Sequence, residues 1–266
     1  MTRNESEAKR LDEQFDLMTM NIGYLVHPRL MAALPSDPRI ADVGTGTGHF
    51  LQCFKDLQAR PGAVLDGYDI SSAMFPSATP DKTSLKELDM KKPVPKELHA
   101  KYDLVHARML VAAMLPGEWT AVVANVAQLL KPGGWLQWVE CDMTGTKHLR
   151  SGVDSRVEAA RRSSHMFRAA LGERFQHGWN NLPGDMEAAG LMSIIRDCAS
   201  TDRLPETRER QTANGMRAIF AWMRKTGAMA GEELERAEKE AYADIKSGCY
   251  CRFEIHVICG QKPPAA

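Results

Sequence analysis

The feature that most limits what this chain can fold into is the run Ile40-Ala-Asp42-Val-Gly44-Thr-Gly46-Thr-Gly48-His-Phe50. A short apolar segment passes straight into alternating glycines and then into amphipathic sequence. Glycines let a backbone turn sharply and let a ligand approach amide groups with no Cβ in the way. The free N–H groups at the start of the following helix favour a carboxylate or a phosphate. Strand, glycine turn and helix together predict a small-molecule cradle, and the spacing indicates its kind. A dinucleotide fingerprint, Gly-x-Gly-x-x-Gly, would place its third glycine at 49, where this chain has His49; Gly48 comes one residue early.

The segments around the glycine turn predict an α/β fold. Ahead of it, Leu11, Phe15, Met18, Ile22 and Leu25 recur at helical steps before the breaker at 34–38. After it, 48–57 reads as a helix, 63–68 as a strand, 102–106 as a strand and 118–130 as a helix stopped by Lys131-Pro-Gly-Gly134. A strand over 134–139 follows. Strands separated by helices of this length imply right-handed crossovers and a mostly parallel sheet covered on both faces. The second half is more helical, over 151–175 and 211–246. Between these, Asp185 reads as an N-cap and Gly190 as a stop, before strands at 192–198 and 252–259.

Asp42-x-Gly44-x-Gly46-x-Gly48 resembles motif I of the class I S-adenosylmethionine (SAM)-dependent methyltransferases, and the rest of the chain continues the likeness. Tyr102-Asp-Leu-Val-His-Ala-Arg-Met109, the stretch Leu129–Asp142 around Lys-Pro-Gly-Gly, and Phe253–Pro263 are similar to later motifs of fungal methyltransferases from secondary-metabolite gene clusters, as is Arg10-Leu-Asp-Glu-Gln14. The resemblance implies a Rossmann-like seven-stranded, mostly parallel sheet with its last strand antiparallel. It further implies an N-terminal helical arm (1–38), a SAM-binding core (39–145), cap helices (146–191) and a sheet end (192–266) with cap helices inserted at 203–246. SAM is the implied cofactor and S-adenosylhomocysteine the product.

On this resemblance the cofactor-binding residues are Asp42, Gly44, Thr45, Gly46, Gly48, Asp69, Ile70, Met74, Asp89, Met90, His106, Arg108 and Tyr24. Asp69 ends the second strand, where a carboxylate can accept both ribose hydroxyls. Asp89 stands where the family's acid meets the adenine amino group. SAM carries an activated methyl, so the protein must mainly align a nucleophile and exclude water. A base near the methyl helps some acceptors, and His106, Glu140 and Asp142 are the catalytic candidates, each with a structural alternative as a hydrogen-bonding, orienting or capping group. His27, Met109, Phe220 and Met223 are the substrate-binding candidates, although buried methionines and aromatics are also ordinary core.

Composition narrows the partners. There are 17 basic and 18 acidic residues in 1–150 and 17 and 16 in 151–266, so neither half has the basic excess that phosphate neutralisation demands, and no nucleic acid is expected. The longest apolar run, Met109 to Leu115, is too short to cross a bilayer, and the polar start does not read as a signal peptide. A cytoplasmic protein is expected, monomeric or homodimeric, with a small molecule as partner. Cys249-x-Cys251 lacks the second ligand pair of a zinc site, so no metal is expected, and the six cysteines read as reduced. The functional expectation is methyl transfer to an O, N or S nucleophile of a small hydrophobic natural product. The alternatives are a SAM-fold enzyme catalysing cyclisation or elimination, a regulatory methyltransferase-like subunit, and, least supported, a dehydrogenase.

Overall fold

A computed structural model describes residues 4–265; residues 1–3 of the expected arm and residue 266 lie outside the described residues. The chain divides into two compact units. One comprises residues 24–141, 177–198 and 256–266, and the other residues 1–23, 142–176 and 199–255.

The first unit is built on parallel strands. They are β1 (Arg39–Val43), β2 (Val64–Asp69), β3 (Thr83–Glu87) and β4 (Tyr102–Arg108), joined by the first part of β5 (Leu130–Arg150). With β6 (Met192–Ser200) and β7 (Cys249–Gln261) the sheet order is β3-β2-β1-β4-β5-β7-β6. β1 pairs in parallel with both β2 and β4, so strand order reverses beside β1, and open sheets bind ligands at the carboxyl ends on either side of such a point. The near-continuous apolar strands follow from burial on both faces: Ile40, Ala41, Leu104, Val105 and Leu136 are all buried. Helices α1 (Glu5–Ile22), α2 (Pro28–Ala33), α3 (His49–Asp56) and α4 (Trp119–Leu129) precede β5 in the chain, and α2, α3 and α4 belong to this unit.

The Lys131-Pro-Gly-Gly134 turn differs from expectation, because β5 begins before it. Tyr102 pairs with Leu130 and Leu104 with Trp135, two steps on β4 against five on β5, so the turn is a bulge within the strand. Gly133 has φ +80°, which suits it to that bend. Asp185 also differs. It lies inside α7 (Leu182–Ala188), which follows α5 (Glu158–Ala170) and α6 (Gly172–Phe175), and it accepts from Thr120 Oγ1 at 2.6 Å instead of capping the helix start.

The second unit is mainly helical: α1, α5 and α6 with α8 (Arg208–Thr226) and α9 (Gly231–Lys246). A break at 227–230 splits the expected 211–246 segment, with Gly227 at φ +68° ending α8. The buried face of α1 is Glu7, Arg10, Leu17, Met18 and Asn21, which differs from the expected apolar stripe. Arg10 is accepted there because Glu7 takes two of its N–H groups and Asn214 Oδ1 a third at 2.9 Å, so the buried charge is paired and hydrogen-bonded. Asp244 on α9 accepts from the N–H groups of Ala159 and Ala160 at 2.8 and 3.1 Å, capping α5 from outside the helix. No described helix is long and apolar enough to cross a membrane.

Candidate functional site

The glycine loop needs the residues it has. Gly44, Gly46 and Gly48 take φ of +71°, +57° and +81°, a left-handed conformation that costs an L side chain roughly 1–2 kcal/mol at each position. The N–H groups of Gly44 and Thr45 donate to the Tyr68 carbonyl at 2.7 and 3.0 Å, which ties the loop to β2. A Cβ at Gly44 would lie 2.4 Å from Leu110 Cδ2, so Leu110 closes over this glycine. A Cβ at Gly46 would meet only Met74 Cε, at 3.7 Å. The loop is therefore packed at Gly44 and open at Gly46. Thr45 turns its hydroxyl toward Gly67, and its backbone is spent on the loop itself, the N–H on Tyr68 and the carbonyl on Gly48 N–H at 2.8 Å.

Asp69 meets this loop directly. Its Oδ2 accepts from Gly46 N–H at 3.0 Å and its Oδ1 from Ser71 N–H at 3.2 Å. Ile70 beside it is 58% exposed, a large apolar side chain more than half open to solvent, and Met74 faces Gly46 from the same connection. The Leu88 N–H donates to the Asp69 carbonyl at 2.8 Å, which brings the end of β3 alongside. Asp89 then accepts from Lys91 N–H at 3.0 Å in its own turn, and Met90 is buried with its carbonyl taken by Asn125 at 2.8 Å. The structure thus gathers Gly44, Gly46, Gly48, Asp69, Ile70 and Met74, with Asp89 and Met90 on the adjoining connection.

Behind the loop, Asp42 Oδ1 accepts from His106 Nδ1 at 2.7 Å, and the imidazole stacks on Phe50 with ring centroids 3.8 Å apart. His106 is 1% exposed, and burial holds its pKa below the usual histidine range despite Asp42. The imidazole thus bonds the carboxylate on β1 that leads into the glycine loop. Arg108 ends β4 two residues on, opposite Val139. Tyr24 donates to Asp197 Oδ2 at 2.6 Å and meets His27 edge to face at 5.3 Å, so both arm residues belong to the sheet unit. His27 is tied further through its N–H to Gln137 Oε1, at 2.8 Å, and its Nδ1 accepts from Arg29 N–H at the start of α2.

Glu140 is fully buried on β5. Its Oε1 accepts from Leu110 N–H at 2.7 Å and from the Trp138 indole N–H at 3.0 Å, while Oε2 is buried with no hydrogen-bond partner. Burial pushes its carboxyl up to about 7, against the lowering effect of the indole and the backbone N–H groups of Leu110 and Val111. Gly178, at φ +96°, lets its backbone approach Trp119 and the Glu140 Cγ more closely than a side chain would permit. Met109, between β4 and Leu110, holds φ +55°, unusual for a methionine.

Three further candidates belong to the helical unit. Asp142 accepts from the Thr144 N–H, at 2.8 Å, and from the Thr144 hydroxyl and the Gly145 N–H, which closes a turn of its own. Phe220 and Met223 are 0% exposed inside the cluster formed with Val157, Ala160, Ile219 and Leu234. These two expected substrate contacts are packed at helical spacing among apolar side chains of that cluster. Sequence reasoning missed Leu110, Leu85 and Phe50, which pack on the loop or on His106, because nothing local distinguishes them from other apolar residues.

Residues 23–191 match the methyltransferase domain family. The chain is 30% identical to methyltransferase grgD of Penicillium sp., over 97% of this chain and 94% of that protein. It is 35% identical to N-methyltransferase sirN of Leptosphaeria maculans, over 72% of this chain and 63% of that protein. Among solved structures, the complex between the Haloferax volcanii Trm112 methyltransferase activator and a methyltransferase aligns with a TM-score of 0.53 at 16% identity, covering 99% of this chain and 100% of that one, a likeness of fold.

Proposed function

Because the chain belongs to the class I SAM-dependent methyltransferases, we propose that it transfers the methyl group of SAM to an O, N or S nucleophile of a small hydrophobic molecule. The observation that carries the cofactor part is the Asp69 carboxylate seated on the N–H of Gly46, within a loop whose three glycines all hold positive φ. A carboxylate at that point, an exposed Ile70 and the open side of Gly46 fit a ligand with a ribose, a flat apolar ring and a polar amino-acid end. Asp69, Ile70, Met74, Asp89 and Met90 would hold the nucleoside side, and Gly44 to Gly48 the remainder. When bound, SAM supplies a methyl already activated on its sulfonium.

What this chain's residues then do is align and exclude water. Both His106 and Glu140 are buried and engaged, which favours an acceptor that attacks through a free lone pair, such as an amine nitrogen, without first surrendering a proton. The sirN relative is an N-methyltransferase by name, which points the same way.

The test is calorimetric titration with S-adenosylhomocysteine and SAM, with NADH as control and Asp69→Ala alongside. Micromolar binding that is lost on substitution, followed by label transfer from methyl-labelled SAM to amine-bearing acceptors, is the expected result. Saturable NADH binding, or unchanged SAM binding by Asp69→Ala, would overturn the assignment. Tight SAM binding with no label transfer to any acceptor class would favour a non-methylating or regulatory role.

A further inference from the structure

We propose that Glu140 is a positioning residue for the cofactor loop, holding the turn that follows β4 so that Leu110 stays closed over Gly44. The proposal deepens the cofactor reading above and takes from it only the identity of the ligand.

The argument begins with the turn. Met109 sits at φ +55°, a conformation that a β-strand end does not adopt unaided and that persists only where neighbours determine it. Three bonds do so. Met109 N–H donates to the Val139 carbonyl at 2.9 Å, Leu110 N–H donates to Glu140 Oε1 at 2.7 Å, and Ala113 N–H donates to the Leu110 carbonyl at 2.8 Å, which starts a short 3-10 turn over Val111–Ala113. Two of these are backbone pairs available to almost any sequence. The one that depends on side-chain identity is Glu140, and it fixes the first amide after the strained residue.

The second step is what the turn carries. Leu110 projects onto Gly44, near enough that a methyl group there would lie 2.4 Å from Cδ2. Gly44 is the first glycine of the loop, and its N–H is bonded back to β2. The loop is thus held from beneath by Tyr68 and from above by Leu110, and the height of Leu110 is set by the carboxylate on β5. Trp138 supports the arrangement by donating to the same oxygen, and Trp119, packed on Trp138 with centroids 5.8 Å apart, fills the space behind.

A merely space-filling residue would not be a carboxylate. A fully buried acid with one oxygen lacking a partner is a costly way to fill a core, and Leu or Met would pack a similar volume without desolvating a polar group. Its presence on β5 just past the pairing with the carboxyl end of β4 is accounted for by an acceptor aimed at the backbone amides of the turn, Leu110 first.

The experiment uses the full chain and the variants Glu140→Ala, Glu140→Gln, Leu110→Ala and the Glu140→Ala/Leu110→Ala double. Two readouts are taken: the Kd for S-adenosylhomocysteine by calorimetry, and amide hydrogen exchange over 105–115 in the unliganded protein. Glu140→Ala is expected to weaken binding about tenfold and speed exchange at Leu110 and Val111 at least tenfold. Glu140→Gln keeps an acceptor oxygen and is expected to restore both to within about threefold. The double variant is expected to bind no more weakly than Leu110→Ala alone, because both substitutions break one connection. Additive losses in the double variant, or a folded Glu140→Ala protein with unchanged Kd and unchanged exchange, would overturn the proposal. If the wild type binds no S-adenosylhomocysteine, the cofactor reading fails, whereas the exchange measurement still decides whether Glu140 holds the turn.

Discussion

Glu140→Gln should remove the loss of stability with rising pH that Glu140 contributes between pH 4.5 and about 7. In the folded protein burial raises the carboxyl from 4.5 to about 7, so the folded state keeps a proton that the unfolded chain releases. The sign follows from proton counting. Between these two values the folded state binds more protons than the unfolded state, so stability falls as pH rises. The contribution is fully present below pH 4.5 and lost as pH passes through about 7. At about 1.4 kcal/mol for each tenfold change in proton affinity, the loss is about 3 kcal/mol. The bonding pattern agrees with a protonated acid at low pH, since Oε1 accepts both hydrogen bonds and the partnerless Oε2 is free to carry the proton. Glutamine places an amide where that protonated oxygen stood, so the variant should match the wild type near pH 4 and exceed it by about 3 kcal/mol at pH 8. Urea unfolding followed by tryptophan fluorescence suits the measurement, because Trp119 and Trp138 lie against each other in the same unit. Every other titrating group is common to both proteins and cancels in the comparison. If the variant and the wild type show the same pH slope, Glu140 titrates normally and the reasoning from burial is wrong.

Gly46→Ala meets little steric obstruction but places alanine at φ +57°, so it should cost about 1–2 kcal/mol in unfolding experiments and reduce S-adenosylhomocysteine affinity by at least tenfold. Phe220→Ala should destabilise the helical unit by about 3–5 kcal/mol in urea titration, and the milder Phe220→Leu should leave KM for the methyl acceptor unchanged; a raised KM in Phe220→Leu would place Phe220 in the substrate wall. Asp244→Ala removes the acceptor for two amides at the start of α5 and should lower stability by about 1 kcal/mol, seen as faster exchange at Ala159 and Ala160.

The glycine loop was legible in the sequence because its constraint is local: three alternating glycines have a physical reason only if the backbone is left-handed at each, and all three are. Asp69 was legible because a strand of known length must end near that loop. The strands around them could be read from short apolar runs, but their ends could not. The Lys131–Gly134 turn looks like a stop and is a bulge, since the pairing with β4 and a bond from Gly133 N–H to the Lys262 carbonyl carry the strand through it. In α1 the periodicity of Leu11, Phe15 and Ile22 favoured one stripe, whereas the buried face includes Arg10 and Asn21. Only knowledge of Asn214 and Thr207, about two hundred residues away, makes those polar residues affordable inside.

His106 and Glu140 show the same limit at the site. Both stand at the carboxyl ends of strands, which marked them as candidate bases, and position alone cannot distinguish an acid that faces a substrate from one that faces its own backbone. The distinction rests on partners. His106 is taken by Asp42 and Phe50, and Glu140 by Trp138 and Leu110. In each case a titratable side chain holds a segment that itself borders the cofactor loop: Asp42 ends in the strand that feeds Gly44, and Leu110 covers it. For a donor that brings its own activated methyl, this is where polar chemistry is of most use to the protein, since the rate depends on geometry that a buried hydrogen bond can hold and a solvated base cannot. The shape of the loop, more than any proton acceptor, is therefore the property on which substitutions in this unit should tell.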